Sequence, residues 1–188
     1  SKAQFVLGYK GYVQLALRSG QYSDLDCMEI RQGEYLGKDP QTGKPQFKFI
    51  EDDDLREKLP IVGYMAYFEY LNGFRKCIYW SREKMLNPAD TYSQAFSKEA
   101  YDKIQNGQIA DKDMWKYSSF WYKSFDDMAK KTLLRQLISK WGIMSTEMQQ
   151  ALTNDSGIPA VDPRTGEIIS GHSDELELTT DAPQPTVE

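Results

Sequence analysis

The sequence predicts an α+β fold: an antiparallel sheet with a central Asn-Gly hairpin, followed by helices that include one long helix with a basic face. Three features carry that prediction. The opening stretch has helical periodicity. The middle of the chain is a series of short alternating or aromatic-rich runs. Everything after residue 81 turns helical again. Helices therefore do not alternate with strands, as parallel βαβ units require.

Residues 9–19 read as the first helix. Tyr9, Tyr12, Val13, Ala16 and Leu17 follow the i, i+3, i+4, i+7, i+8 pattern, and Gly20 suits the stop. Lys10, Gln14 and Arg18 form a separate polar line at i, i+4, i+8. Residues 22–32 read as a strand through Tyr22, Leu25, Cys27, Met28 and Ile30. Asp39-Pro40-Gln41-Thr42-Gly43 has strong turn chemistry, and Gln46-Phe47-Lys48-Phe49-Ile50 alternates as a second strand. Glu51-Asp52-Asp53-Asp54 opens a polar connection ending at Pro60.

Ile61–Leu71 and Phe74–Ser81 are then joined by Asn72-Gly73, the preferred pair for a type I′ turn. A two-residue turn sets Leu71 opposite Phe74, Tyr67 opposite Ile78 and Glu69 opposite Lys76, the last as a cross-strand ion pair. Ser81 is placed to N-cap a short helix ending near Asn87-Pro88. Residues 90–105 read as helical, and Asn106-Gly107 breaks the chain. The aromatic group Trp115, Tyr117, Phe120, Trp121 and Tyr122 leads into a long helix over about 122–141, stopped by Gly142. A shorter helix near 145–153 closes the body.

The chain has 188 residues and a net charge of −5, a length suited to one domain with a tail. The charge is uneven. Residues 154–188 hold eight acids against one base, for −7; residues 1–153 hold 22 bases against 20 acids, for +2. That C-terminal stretch also carries Pro159, Pro163, Pro183 and Pro185 and no aromatic residue, so it is expected to be largely disordered. It reads as an interaction arm or a solubilising extension. At the other end, core-like Phe5-Val6-Leu7 follow Ser1 almost at once, so the chain is expected to be part of something longer.

Several function classes find no support. Cys27 and Cys77 are too few for a disulfide scaffold, which makes a reducing compartment the default. No apolar run approaches the roughly 20 residues of a membrane span, and no signal peptide is visible. The single His172 lies in a Gly/Ser/Asp-rich stretch, which argues against a Ser-His-Asp triad, a Cys-His pair or a His-ligated zinc. Neither GxxxxGK[ST] nor GxGxxG occurs, so nothing signals a nucleotide cofactor.

The long helix carries the most chemistry. Phe125, Met128, Ala129, Leu133 and Leu137 occupy one side, while Lys123, Lys130, Lys131 and Arg135 share a sector roughly 140° wide on the other. Leu134, Ile138 and Trp141 intrude on that sector, so its C-terminal half is expected to be buried nearly all round. Spacing alone suits an ordinary solvated face. A phosphate-contacting face is the competing reading, since single-strand binders combine a cationic groove with aromatic platforms. Trp121 and Phe125 are expected in the core, with Trp115 open. The Lys10, Gln14, Arg18 line is a second cationic strip, and Arg82 and Lys84 lie at a helix start within reach of a phosphate. Asp52, Asp53 and Asp54 read as a solvated loop, because consecutive carboxylates point apart and do not converge on an ion.

Two segments add what composition lacks. Gly8-Tyr9-Lys10-Gly11 through Leu15-Ala16-Leu17-Arg18-Ser19-Gly20 resembles the GYKG…LA.RSG signature of the RecT/Redβ family of phage single-strand annealing recombinases. Met128-Ala129-Lys130-Lys131-Thr132 through Arg135-Gln136-Leu137 resembles that family's MA.KT..R.L helix, specifically its RecT branch. Tyr79-Trp80-Ser81-Arg82-Glu83 is similar to its strand-to-helix junction. The resemblance spans about residues 5–150. It implies an ATP-independent, non-enzymatic protein that needs no cofactor, binds single-stranded DNA and promotes annealing of complementary strands in recombination and repair.

The resemblance further implies a ring or helical filament of identical subunits and a partner 5′→3′ exonuclease. It suggests a host single-stranded-DNA-binding protein as a partner for the acidic tail, and a cytoplasmic setting in a bacterial host of a phage or prophage. Family members generally have a further segment before the GYKG helix, which this sequence lacks. Contacts to DNA phosphates are expected from Lys10, Arg18, Arg82, Lys123, Lys130, Lys131 and Arg135. All but Lys123 match family motif positions; Lys123 rests on the helical-face argument. The expected organisation is an annealing domain over 1–153 and an acidic tail over 154–188. Two alternatives stand beside it: a metal-dependent nuclease using Asp52–Asp54 or Asp111/Asp113, and an adaptor acting through the acidic tail.

Overall fold

The computed structural model describes residues 7–86, 96–117, 119–155, 158–162 and 164–168. Helix α1 (Tyr9–Arg18) leads into β1 (Tyr22–Arg31). A short ribbon follows, β2 (Tyr35–Lys38) with β3 (Pro45–Phe47), then α2 (Asp53–Lys58) and the strands β4 (Ile61–Tyr70) and β5 (Arg75–Ser81). Residues 82–86 are helical. Next come α3 (Lys98–Gln105), a 3-10 turn over Asp111–Lys116, α4 (Phe120–Lys123), α5 (Phe125–Trp141) and α6 (Thr146–Asn154). The α+β class and the antiparallel sheet are as the sequence predicts; the strands of that sheet lie in the order β1-β4-β5.

Register decides which residues meet the helices. Cys27 lies opposite Ala66 and Leu25 opposite Phe68, while Ala66 lies opposite Ile78 and Tyr64 opposite Trp80. These positions share one face, and α1 and α5 cover it. The opposite face carries the β2–β3 ribbon: Tyr35 stacks on Tyr79 with ring centroids 3.9 Å apart, and Gly63 leaves room for the Tyr79 ring. The C-terminal end of α5 is tied down by tyrosines. Tyr70 donates to Trp141 O at 2.7 Å, and the Tyr22 hydroxyl donates to Ile143 O and accepts from Ile143 N. Carbonyls that a helix end leaves over are thereby satisfied from the sheet.

The hairpin between β4 and β5 departs from the expected register. Glu69 faces Arg75, Tyr67 faces Cys77 and Phe68 faces Lys76. Gly73 N donates to Tyr70 O, and Tyr70 N donates to Phe74 O. The loop is thus Leu71-Asn72-Gly73, with Gly73 in the left-handed region at φ 87°, a three-residue turn ending in a bulge glycine. The expected Glu69–Lys76 pair is replaced by Glu69–Arg75 at 2.9 Å.

Three other elements differ from the pattern. The connection after residue 50 contains α2, because Asp52 caps it by accepting from Leu55 N at 3.1 Å and Asp53 and Asp54 occupy its first turn. The second strand is shorter than 46–50 and pairs with β2 outside the main sheet. The long helix is interrupted at Ser124, whose φ of −143° separates α4 from α5. The expected helix over 90–105 is described only from residue 96, and its helical part starts after the Ser97 cap. The Asn87-Pro88 stop and residues 169–188 of the expected tail lie outside the described residues.

Glu34 fastens the ribbon and α2 to the sheet. Its buried carboxylate accepts from Arg31 N at 2.7 Å, Ile50 N at 3.1 Å and Arg56 Nε at 3.0 Å. Burial alone would raise its pKa, but the Arg56 guanidinium and the two backbone N–H groups outweigh burial and hold it below the usual carboxylate range. A depressed folded pKa contributes stability above the unfolded value and loses it as pH falls through the folded one. Glu34→Gln is therefore expected to lower urea resistance most at neutral pH. Its deficit relative to the parent should shrink as pH drops below about 4, as urea melts across pH 2–7 would show.

Candidate nucleic-acid interface

The seven cationic residues expected at the site divide into two groups. Lys10 and Arg18 are exposed on α1, in line with Gln14, and Lys123 is exposed at the end of α4. The other four are built into the protein.

Arg82 follows Ser81, whose Oγ accepts from Lys84 N at 3.1 Å as the expected helix cap. The Arg82 guanidinium lies 5.3 Å from the Tyr101 ring centroid and 5.2 Å from that of Phe125, and donates to the Tyr101 hydroxyl. Beside it Tyr64 donates to Asp126, and burial together with the Asp126 charge pushes the Tyr64 phenol pKa up. Arg82 thus supports the junction between β5 and α5.

Lys130, Lys131 and Arg135 do not form the open face that the helical spacing suggests; their exposures are 7%, 2% and 8%. Lys130 Nζ lies 3.3 Å from Glu29 and 3.4 Å from Asp127, over the Tyr9 ring at 4.2 Å. Burial disfavours its charge, but Glu29, Tyr9 and Asp127 outweigh burial and raise its pKa. Lys131 is ion-paired with Asp155 in near-complete burial, and Tyr12 donates its hydroxyl to the same carboxylate. Arg135 Nη1 donates to Leu152 O at 2.9 Å at the end of α6.

Part of the cover comes from sequence that reads as tail. Packing continues past 153: Ile158 is fully buried, Lys140 pairs with Glu167 at 2.7 Å, and Val161 bridges Ile168. Gln136 donates to Gly166 O and accepts from Ile168 N. The first fifteen residues of the expected tail thus include segments docked on α5, which is why the helix is buried on both sides.

The aromatics fall as expected for Trp121 and Phe125, which are buried, while Trp115 is 73% exposed. Among the described residues no group of three or more His, Cys, Asp or Glu side chains is placed to hold a metal ion. No described helix is long and apolar enough to cross a membrane. Both thiols are held up by burial, Cys77 to about 11.

A set of cations outside the expected seven lies along β5. Lys76 and Lys140 sit over the Trp141 ring at 4.5 and 4.9 Å, and Lys84 sits over the Trp80 ring at 4.6 Å. The recurrence of Lys76, Trp80 and Lys84 at four-residue intervals is the sequence signal for it. The assumed Glu69–Lys76 pair conceals that signal.

The two motif-bearing helices α1 and α5 pack on each other and on one face of the sheet. Together they define an α+β module whose basic residues cluster at helix–helix and helix–sheet boundaries. The model of the RecT family matches residues 1–168, and the chain belongs to that family. It is 39% identical over 154 residues to the uncharacterized protein YqaK of Bacillus subtilis (strain 168), covering 82% of this chain and 45% of the relative. It is 26% identical over 175 residues to protein RecT of Escherichia coli (strain K12), covering 89% of this chain and 54% of that protein. The chain thus spans about half the length of the curated relatives it matches.

The buried pair has a measurable cost. Removing one partner leaves a charge without compensation in the interior. Lys131→Ala is expected to destabilise the domain by about 3 kcal/mol, against little change for Lys10→Ala at its exposed site. Urea melts of the two variants beside the parent measure the difference.

Proposed function

We propose that this chain is the DNA-binding part of a single-strand annealing protein: it holds single-stranded DNA by its phosphates and promotes pairing with a complementary strand, without ATP or another cofactor. The observation that supports this most directly is the RecT-family match over residues 1–168, together with the packing of both motif helices into one module. Annealing needs sequence-independent contacts, which Lys and Arg supply by releasing counterions. It also needs bases left free to pair.

Lys10, Arg18 and Lys123 are the accessible members of the expected set and make direct phosphate contacts in this reading. Lys130, Lys131, Arg135 and Arg82 act chiefly by holding α1, α5 and α6 in place. A net charge of +2 on 1–153 is small for one subunit, so useful affinity comes from several subunits along one strand, as a ring or filament. A partner exonuclease supplies the single strand, the acidic C-terminal residues recruit a host single-stranded-DNA-binding protein, and the setting is the bacterial cytoplasm. The carboxylates weighed for a nuclease have other work: Asp52 caps α2 and Asp113 pairs with Lys116 at 3.1 Å.

The test uses complementary labelled oligonucleotides in EDTA without ATP, over a salt series. The protein is expected to accelerate duplex formation, less so as salt rises. A Lys10→Gln/Arg18→Gln double variant should bind every sequence more weakly, its log–log salt slope shallower by about 1.4 for two lost single-strand contacts. Cleavage on adding Mg²⁺, or no acceleration at any salt, overturns the proposal.

A further inference from the structure

The strand β5 lies at the edge of its sheet, with β4 on one side and no strand on the other among the described residues. Lys76, Ile78 and Trp80 project from it toward the helix-covered face, because they lie opposite Phe68, Ala66 and Tyr64. The end of α5 meets the same edge through Trp141. The result is a row of alternating cations and indoles: Lys140 and Lys76 over Trp141, then Lys84 over Trp80. Trp80 and Trp141 are half-buried, so each ring is anchored in the core yet reaches the surface.

Among the described residues one carboxylate meets the cations of this row, Glu167 on Lys140. Burial lowers the Lys84 pKa, and the positive charges of Lys38 and Lys140 lower it further. Like charges held together in this way are relieved by an anion. The chemistry that suits fixed cations interleaved with aromatic rings is a polyanion that also carries flat π-surfaces.

We propose that the β5 edge is a second single-stranded-DNA track, in which Lys76, Lys84 and Lys140 take phosphates while Trp80 and Trp141 lie against sugar or base. The proposal rests on the single-strand-binding reading above and adds to it a surface separate from Lys10, Arg18 and Lys123. The two indoles remain tethered to the core, so they contact a strand from one side and leave its pairing edges open.

The experiment titrates the full chain with oligo-dT, following both strand anisotropy and tryptophan emission, at several salt concentrations. For Lys76→Gln/Lys84→Gln the slope should fall by about 1.4 and affinity by about tenfold or more. Emission quenching should diminish in Trp80→Phe and in Trp141→Phe. Lys84→Gln alone repeats the slope test at an exposed side chain whose ring contact is with Trp80 of the track itself; its slope should fall by about 0.7. If the parent binds with a normal salt slope, and these variants leave both slope and quenching unchanged, the track is wrong and the annealing proposal stands. If the variants alter only self-association by sedimentation, the edge is a subunit contact and the track is again wrong. No salt-sensitive binding by the parent overturns both readings.

Discussion

The ion pair of Lys131 with Asp155, closed over by the Tyr12 hydroxyl, joins three distant parts of the chain. It fixes α1 to α5 and brings the segment after α6 onto the same helix. Taking both charges out of water is unfavourable unless each meets a partner with good geometry. Once that pair is in place, α5 cannot be a surface helix, and its neighbours follow. Leu134 and Ile138 are buried, as their intrusion on the basic sector predicts, and Gln136 finds backbone partners in the docked segment.

This constraint redistributes the positive charge of the domain. The cations closest to the family motifs of α5 are engaged with Glu29, Asp127, Asp155 and the Leu152 carbonyl. The accessible ones sit on α1, at the end of α4, on the β2–β3 ribbon and along β5. A weakly charged subunit thus presents its bases as separate strips. Such an arrangement suits a ligand that is long, flexible and met by several subunits at once.

Much of the architecture was legible in the sequence because its elements are locally consistent. The α1 periodicity, the β1 run, the two arms of the β4–β5 hairpin, the Ser81 cap and α6 need only neighbouring residues to be read. The misreadings share a physical cause, which is information held elsewhere. Asn72-Gly73 permits more than one loop length, and the left-handed Gly73 that closes a three-residue loop shifts the register by one. The Lys130–Arg135 sector looks solvated because its cover is remote in sequence: Glu29 and Tyr9 meet Lys130, Leu152 meets Arg135, and Asp155 meets Lys131 from a stretch whose acids and prolines resemble a free tail. The β2–β3 ribbon is too short to show a period, and its placement depends on Glu34 and on the Tyr35–Tyr79 stack. The exposure of Lys10 and Arg18 follows from the α1 pattern, whereas the meeting of Lys76 and Lys140 on Trp141 depends on α5 crossing β5 and has no local signal.

The Gln136 amide, held between Gly166 and Ile168, mimics the donor–acceptor pair that one strand residue offers another. Its side chain stands in for a missing strand on a helix surface. Shortening the chain at residue 153 strips both partners from an amide that has almost no access to water, and uncovers the hydrophobic seat of Ile158. The packing on α5 therefore reaches to Ile168, and a fragment cut at residue 153 on composition alone removes part of it.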